Sequence, residues 1–279
     1  MKNIIITGAS GYLGSQFIKT YKDLYTFKKF SLLKSPLSSL KFENIDCILH
    51  CAALVHQTKK KHYDDYYKIN VLYPFNLARK AKNKGVKQFV FISSIAVYDS
   101  SLKLIKENSK INPSTAYGKS KFEAEKLLEK LNDDNFTVSI VRLPMIYGDK
   151  APGNISKLIN IVNKFPILPF AGIKNRRTFV YIGNLCYGIN KIIERQLGGV
   201  FLISDDNYIS TTGLIKLIDR NNRNRKFLIK IPLLKWFLQI FKPNIYEKLY
   251  SDLIVNSKES RIKLNYKNPF KINEAFKKL

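Results

Sequence analysis

Thr7-Gly8-Ala9-Ser10-Gly11-Tyr12-Leu13-Gly14 joins an apolar run, Ile4-Ile5-Ile6, to a segment whose helical patterning continues to about Thr20. Three glycines at this spacing are informative only where a strand enters and a helix leaves, and both conditions hold. Gly8 allows the tight turn, Gly11 lets a pyrophosphate approach the backbone, and Gly14 permits close packing of helix on strand. The helix start offers unpaired N–H groups and the positive end of its dipole to phosphate. Ser10, Tyr12 and Leu13 fall within the same expected dinucleotide site.

Outward from this turn the first half alternates short apolar runs with helical patterns. Strands are expected near Lys29 to Leu33, over Asp46 to Cys51, Gln88 to Ser93 and Thr137 to Val141, with helices from about Asp64 to Asn83 and Ala116 to Leu131. Such alternation predicts an α/β fold with a doubly wound parallel sheet, the Rossmann arrangement. After Gly148 proline and glycine become more frequent. Residues 1–148 are read as a dinucleotide-binding domain. Residues 149–279 are read mainly as a smaller C-terminal α/β substrate lobe, with some segments returning to the first domain.

A chain of 279 residues, 45% hydrophobic, has material for a full core. No run reaches the roughly 18 apolar residues of a membrane span. Ile4-Ile5-Ile6 is too short for a secretory signal, which predicts a cytoplasmic protein. Cys47, Cys51 and Cys186 form neither a disulfide framework nor a metal-ligand pattern, so no metal is expected. The net charge of +27 is spread along the chain and lysine-dominated, which reads as compositional bias, with no nucleic-acid partner expected.

Tyr117-Gly118-Lys119-Ser120-Lys121 is a Y-x-x-x-K at a helix start, with Tyr117 and Lys121 on one face, a turn apart. Upstream a strand ends in Ser93-Ser94. Hydride transfer at a carbinol or carbonyl carbon needs a proton donor or acceptor at the oxygen. A tyrosine can serve if its pKa falls from about 10 toward neutrality, a change of about 4 kcal/mol. A nearby ammonium, helped by an oxidised nicotinamide, supplies that stabilisation.

The order TGASGYLG, HCAA (His50 to Ala53), Asn70, SSIAVYD, YGKSK and RLPMIYG (Arg142 to Gly148) resembles the extended short-chain dehydrogenase/reductases. Within them it is most similar to nucleotide-sugar 4-epimerases, dehydratases and 4-keto reductases. The resemblance implies catalytic roles for Ser94, Tyr117 and Lys121, the last two also touching the cofactor. It implies that Ala52, Ala53 and Asn70 line the cofactor and that Pro144 lies near the nicotinamide. In the C-terminal half, Asn154 and Arg177 would hold the nucleotide diphosphate, with Lys248 standing where the family usually has a second arginine. Two departures stand out: the usual third strand is reduced to about Pro36 to Asn44, and the chain is compact.

The expected end of the second strand, Phe30 to Ser35, carries no acid. A carboxylate there would bind the ribose hydroxyls of NAD and repel a 2′-phosphate. With Lys34 nearby, this favours NADP(H) and leaves NAD(H) open. The expected reaction is therefore 4-keto reduction of a UDP-linked 2-acetamido-2,6-dideoxy-hexos-4-ulose for surface polysaccharide. The alternative is 4-epimerisation of UDP-glucose/galactose, of UDP-GlcNAc/GalNAc, or of a lipid-diphosphate-linked sugar. A non-catalytic dinucleotide-sensing relative is a further reading, but it would be expected to have lost Tyr117 or Lys121. Lys226 to Lys242 (KFLIKIPLLKWFLQIFK) reads either as an interfacial helix or as a lobe helix flanked by solvated lysines. A homodimer and a peripheral membrane contact remain open.

Overall fold

The computed structural model describes residues 1–31, 33–55, 62–220 and 226–277. Its first half comprises β1 (Lys2–Thr7), α1 (Tyr12–Tyr21), β2 (Tyr25–Phe30), β3 (Cys47–His50), α2 (Tyr63–Tyr67), α3 (Tyr73–Asn83), β4 (Gln88–Ile92), β5 (Leu104–Ile105), α4 (Ala116–Glu129) and β6 (Thr137–Arg142). A π-helical segment, Lys68–Leu72, joins α2 to α3. The second half adds β7 (Ile146–Tyr147), α5 (Asn154–Lys164), β8 (Ile167–Leu168), β9 (Val180–Tyr181), α6 (Ile182–Arg195), β10 (Gly199–Leu202), α7 (Thr211–Arg220), β11 (Phe227–Leu228), α8 (Leu234–Phe241), α9 (Pro243–Tyr250), β12 (Ile254–Val255), α10 (Lys258–Leu264) and α11 (Ile272–Phe276).

Six strands form one parallel sheet in the order β10-β6-β4-β3-β1-β2. Its inner strands read as continuous apolar runs because helices cover both faces. Side chains alternate between those faces. Ile4 and Ile6 pack with Phe17 of α1 and Ile189 of α6, whereas Ile5 packs with Leu77 and Ala81 of α3 and Leu128 of α4. β10 comes from the second half of the chain, so residues beyond 148 complete the main sheet. Smaller parallel pairs, β7–β9, β8–β11 and β5–β12, tie the remaining segments together.

The second strand lies earlier than its sequence suggested. It runs Tyr25–Phe30, in register from Lys2↔Tyr25 to Thr7↔Phe30. Tyr25 and Phe27 face the Phe17 ring of α1, and that cluster sets the register. Leu33, which drew the expected strand onward, is 77% exposed. Lys34 sits in a turn closed by its N–H donating to the Ser31 carbonyl, four residues beyond the strand and open to solvent. Leu32 lies outside the described residues. Where a third strand is usual there is a short 3-10 turn, Leu37–Ser39, with Leu40 and Phe42 buried behind it. β2 is accordingly the sheet edge.

Candidate active site

In open parallel sheets, ligands bind beyond the carboxyl ends of the strands. Thr7, His50, Ile92 and Arg142 all end strands on that edge. The turn after Thr7 is tight. Gly8 has φ +69°, and a Cβ there would lie 2.7 Å from the Ala52 nitrogen. A Cβ on Gly14 would lie 2.3 Å from the Gly8 carbonyl oxygen, so α1 rests directly on the turn. Thr7 Oγ1 lies 2.9 Å from His50 Nδ1, pinning this turn to the end of β3. Burial depresses His50 to about 3, aided by the Lys121 charge, so the imidazole is neutral.

These features fit the dinucleotide that the motif implies. Gly11 caps α1 without a side-chain acceptor, and the first turn has no acidic residue, so its N–H groups face outward unopposed. Added methyl groups at Gly8 and Gly14 would strike the Ala52 and Gly8 backbone and displace the turn. The Tyr12 hydroxyl is buried against Gly148 with no hydrogen-bond partner among the described residues. Gly8, Ser10, Gly11, Tyr12, Leu13 and Gly14 would hold the pyrophosphate side.

Asn70, which the resemblance sets at the cofactor, shapes the loop that borders the glycine turn. It is fully buried in the π-helical segment. Its Oδ1 accepts from Leu54 N at 2.7 Å, and its Nδ2 donates to Leu54 O at 3.0 Å and Ser120 Oγ at 3.0 Å. It therefore shapes the Ala52-Ala53-Leu54 loop, and it is this loop that borders the turn. Pro144 is buried just past β6.

Ser94 follows β4 and caps the 3-10 turn Ile95–Val97, its Oγ accepting from Ala96 N at 3.2 Å. Thr115 caps α4 in the same way, accepting from Gly118 N at 3.0 Å. A Cβ on Gly118 would come within 2.3 Å of the Ala96 carbonyl oxygen, so the first turn of α4 presses on the end of β4. That approach allows the Tyr117 and Ser94 hydroxyls to hydrogen-bond. Burial pushes the Tyr117 phenol up to about 12, partly offset by Ser94. Lys121 is 1% exposed. Its Nζ donates to the Ile92 carbonyl at 2.7 Å and lies 4.3 Å from the centre of the Phe91 ring. Burial lowers its pKa to about 8, against an opposing pull from Glu125.

Glu125, one turn beyond Lys121, was not singled out in the sequence. It is 1% exposed. Its carboxylate takes Arg142 at both oxygens, Nε at 3.1 Å and the terminal nitrogen at 2.7 Å, and Ser93 Oγ at 2.5 Å. The other Arg142 nitrogen donates to the Tyr98 hydroxyl at 2.9 Å. The available signal was the spacing Tyr117-x-x-x-Lys121-x-x-x-Glu125, which puts an acid on the same buried face of α4.

A cleft of about 410 Å³ runs from Ser94 and Thr115 to Met145, Arg177 and Lys248. A second, apolar recess lined by Ile155, Leu158, Leu214 and Leu249 opens onto the same Met145, Arg177, Phe179 and Lys248. The chain thus brings Ser94 to the same cleft as Arg177 and Lys248, although 83 residues separate Ser94 from Arg177. Arg177 is held by its terminal nitrogen donating to Glu247 O at 3.0 Å and Ser251 O at 3.2 Å, and burial lowers its pKa. Arg176 turns away to Asp252, at 2.8 Å. Lys248 is exposed on α9. Asn154 begins α5 after Gly153, but its side chain lies outside the described residues. Lys34 borders none of these clefts.

No group of three or more His, Cys, Asp or Glu among the described residues could hold a metal ion. No helix among them is long and apolar enough to cross a membrane.

The UDP-glucose 4-epimerase of Vibrio cholerae is 30% identical over 313 residues, covering 99% of this chain and 94% of that protein. Among solved structures, UDP-glucuronic acid 4-epimerase from Bacillus cereus, in complex with NAD, superposes with a TM-score of 0.76 at 18% identity, covering 99% of this chain and 96% of that one. The dTDP-4-dehydrorhamnose reductase from Bacillus anthracis, in complex with NADP, gives 0.75 at 21% identity, covering 99% and 98%. Residues 4–204 match the family model for the NAD dependent epimerase/dehydratase family. With its glycine turn, its Tyr117–Lys121 helix and its six-stranded parallel sheet, the chain belongs to that family of extended short-chain dehydrogenase/reductases.

Proposed function

We propose that the protein is a 4-epimerase of a UDP-linked hexose that retains its nicotinamide dinucleotide through the cycle. The observation that carries this reading is the shared cleft: Ser94, hydrogen-bonded to Tyr117, lines it together with the cations Arg177 and Lys248. A diphosphate held by the cations would present its sugar to the hydroxyl pair. A guanidinium fork suits a phosphate bidentately, and Lys248 adds a point charge.

In this reading the Tyr117 phenolate takes the proton from the sugar C4 hydroxyl, and Ser94 hydrogen-bonds the same oxygen. Tyr117 later returns the proton after the keto sugar has turned its other face. When bound, the dinucleotide would accept the C4 hydride in its oxidised form and return it to the other face of the keto sugar in its reduced form, and the oxidised form would add a second positive charge. That charge matters. Bringing a phenol from about 12 to neutrality requires about 7 kcal/mol. One unit charge about 4 Å away contributes about 4 kcal/mol at an effective dielectric near 20. A single cation at that distance falls short, whereas two would suffice.

The expectation of a 4-keto reductase has less support than this alternative, because the full-length relative at 30% identity is an epimerase. One observation keeps the reductase as a second reading: β2 ends at Phe30-Ser31 with no carboxylate, which leaves room for the 2′-phosphate of NADP.

The deciding experiment incubates the purified protein with UDP-glucose and with UDP-GlcNAc without added cofactor, then with UDP-4-keto sugars and NADPH. Interconversion with the 4-epimer in the first arm, lost in Tyr117→Phe, is the expected result. Stoichiometric NADPH oxidation with no epimer in any arm would replace the epimerase with the reductase.

A further inference from the structure

We propose that the outer face of α8 is a membrane-docking surface that seats the protein on an anionic lipid bilayer. This inference stands apart from the reaction proposed above. Leu234 and Leu238, four residues apart, form the inner stripe of α8, with Leu238 buried. The outer face of an ordinary surface helix is polar. Here it is Leu233, Trp236, Phe237, Ile240 and Phe241, at helical i, i+3, i+4, i+7 and i+8 spacing. Every one of them is at least 48% exposed. Contiguous apolar surface of this kind marks an interaction site.

The chemistry around this face identifies the partner. Residues 226–246 contain Lys226, Lys230, Lys235 and Lys242 and no acidic residue. Lys235, Gln239 and Lys242 form a polar edge along α8, beside the apolar face. At its foot a groove is lined by Lys174, Lys230 and Lys235, with one acid, Asp252, which is already engaged by Arg176. Apolar and aromatic residues on one face, with lysines along the rim, fit an interface where chains bury and ammonium groups meet lipid phosphates. The preceding strand continues the pattern: Phe227 is 68% exposed opposite Ile167, 54% exposed, in the β8–β11 pair. A net charge of +27 draws the whole molecule toward the same surface. α8 packs on α9, which carries Lys248 of the substrate cleft, so docking would hold that cleft close to the lipid.

Trp236 is the chain's single tryptophan and lies within this face, 59% exposed. It reports docking directly. The full chain is titrated with vesicles of phosphatidylglycerol and phosphatidylethanolamine, and separately with phosphatidylcholine alone, following Trp236 emission and co-sedimentation. The expected result is a blue shift and co-sedimentation with the anionic vesicles only, both reduced by salt. Phe237→Gln with Ile240→Gln should abolish both signals. Lys230→Gln with Lys235→Gln should weaken binding by about 25-fold, at about fivefold per lysine. Absence of a shift with anionic vesicles, or an equal response to phosphatidylcholine, would overturn the proposal. So would a blue shift that grows with protein concentration without lipid, because a second copy of the chain would then be covering the face.

Discussion

Replacing Lys121 with methionine should stabilise the fold at neutral pH while abolishing turnover. The ammonium is 1% exposed, and burial lowers its pKa from 10.5 to about 8. At about 1.4 kcal/mol per pH unit, holding it charged in the folded protein costs about 3 kcal/mol. Lys121→Met keeps the length of the side chain and removes that burden. It also strands the Ile92 carbonyl, which now accepts from Nζ at 2.7 Å. A buried acceptor left unpaired costs about 1–2 kcal/mol. The net gain at pH 7 is therefore about 1–2 kcal/mol, or a few degrees in melting temperature for a chain of this size.

The sign of the pH dependence is the sharper test. Between about pH 8 and 10.5 the folded wild type has released the Lys121 proton while the unfolded chain still holds it. Wild-type stability from this group therefore rises with pH across that window and is lost as pH falls through 8. The variant lacks this contribution, so its advantage at pH 7 should shrink as pH rises and reverse between about pH 9 and 10. Tyr117 and the buried cysteines stay protonated in both folded proteins across this window, so their titration in the unfolded chains cancels in the difference. Urea unfolding followed by circular dichroism, from pH 7 to 9.5 without cofactor, measures the two curves. A difference that stays flat with pH, or a variant less stable than wild type at pH 7, would refute this account of Lys121.

Two further outcomes follow from close approaches and charges. Gly14→Ala places a methyl 2.3 Å from the Gly8 carbonyl oxygen, so α1 must move. The expected loss is about 1–3 kcal/mol of stability, together with dinucleotide binding, and unchanged affinity in a fluorescence titration would show that the cradle is not the site. Arg177→Ala should raise the KM for the nucleotide sugar about 100-fold, the value of a charged phosphate contact of about 3 kcal/mol. Dinucleotide affinity should stay near wild type, and equal losses for both ligands would remove Arg177 from the diphosphate site.

Much of the architecture was legible because buried parallel strands announce themselves. Ile4-Ile5-Ile6, Cys47-Ile48-Leu49 and Phe89-Val90-Phe91 are apolar on both faces, which only a covered sheet requires. The edge strand was misplaced for the converse reason. Tyr25–Phe30 has one neighbour and reads Tyr-Thr-Phe-Lys-Lys-Phe, so its polarity hid it while Leu32-Leu33 drew attention onward. Ser94 and Tyr117 could be picked out because they sit at the end and start of elements, and Lys121 because it follows Tyr117 by one helical turn. Asn70 and Glu125 could not be read in the same way. Their roles depend on the Leu54 loop and on Arg142, partners that only the folded chain brings near. For α8, the sequence left open an interfacial helix or a buried lobe helix, because apolar residues and lysines alternate in it without showing which side meets the core.

The buried ion pair behind the site explains how Lys121 keeps its charge available. Glu125 lies one turn from Lys121 on α4, and an unclaimed carboxylate there would pair with the ammonium and cancel it. Arg142 instead occupies both Glu125 oxygens, and Ser93 takes a third hydrogen bond to the same group. Lys121 is left on the Ile92 carbonyl, a neutral acceptor. Two cations and one anion then leave a net charge of +1 beneath Tyr117, in a region where water is excluded. That charge is unfavourable while Tyr117 is a phenol, consistent with the low Lys121 pKa, and is compensated when the phenol ionises. The same arrangement anchors the ends of β4 and β6 to α4 through Ser93, Arg142 and Glu125, which are the elements that set the distance between Ser94 and Tyr117. Replacing the pair with apolar residues would preserve packing volume and leave the same single positive charge, but it would remove the hydrogen bonds that tie the ends of β4 and β6 to α4.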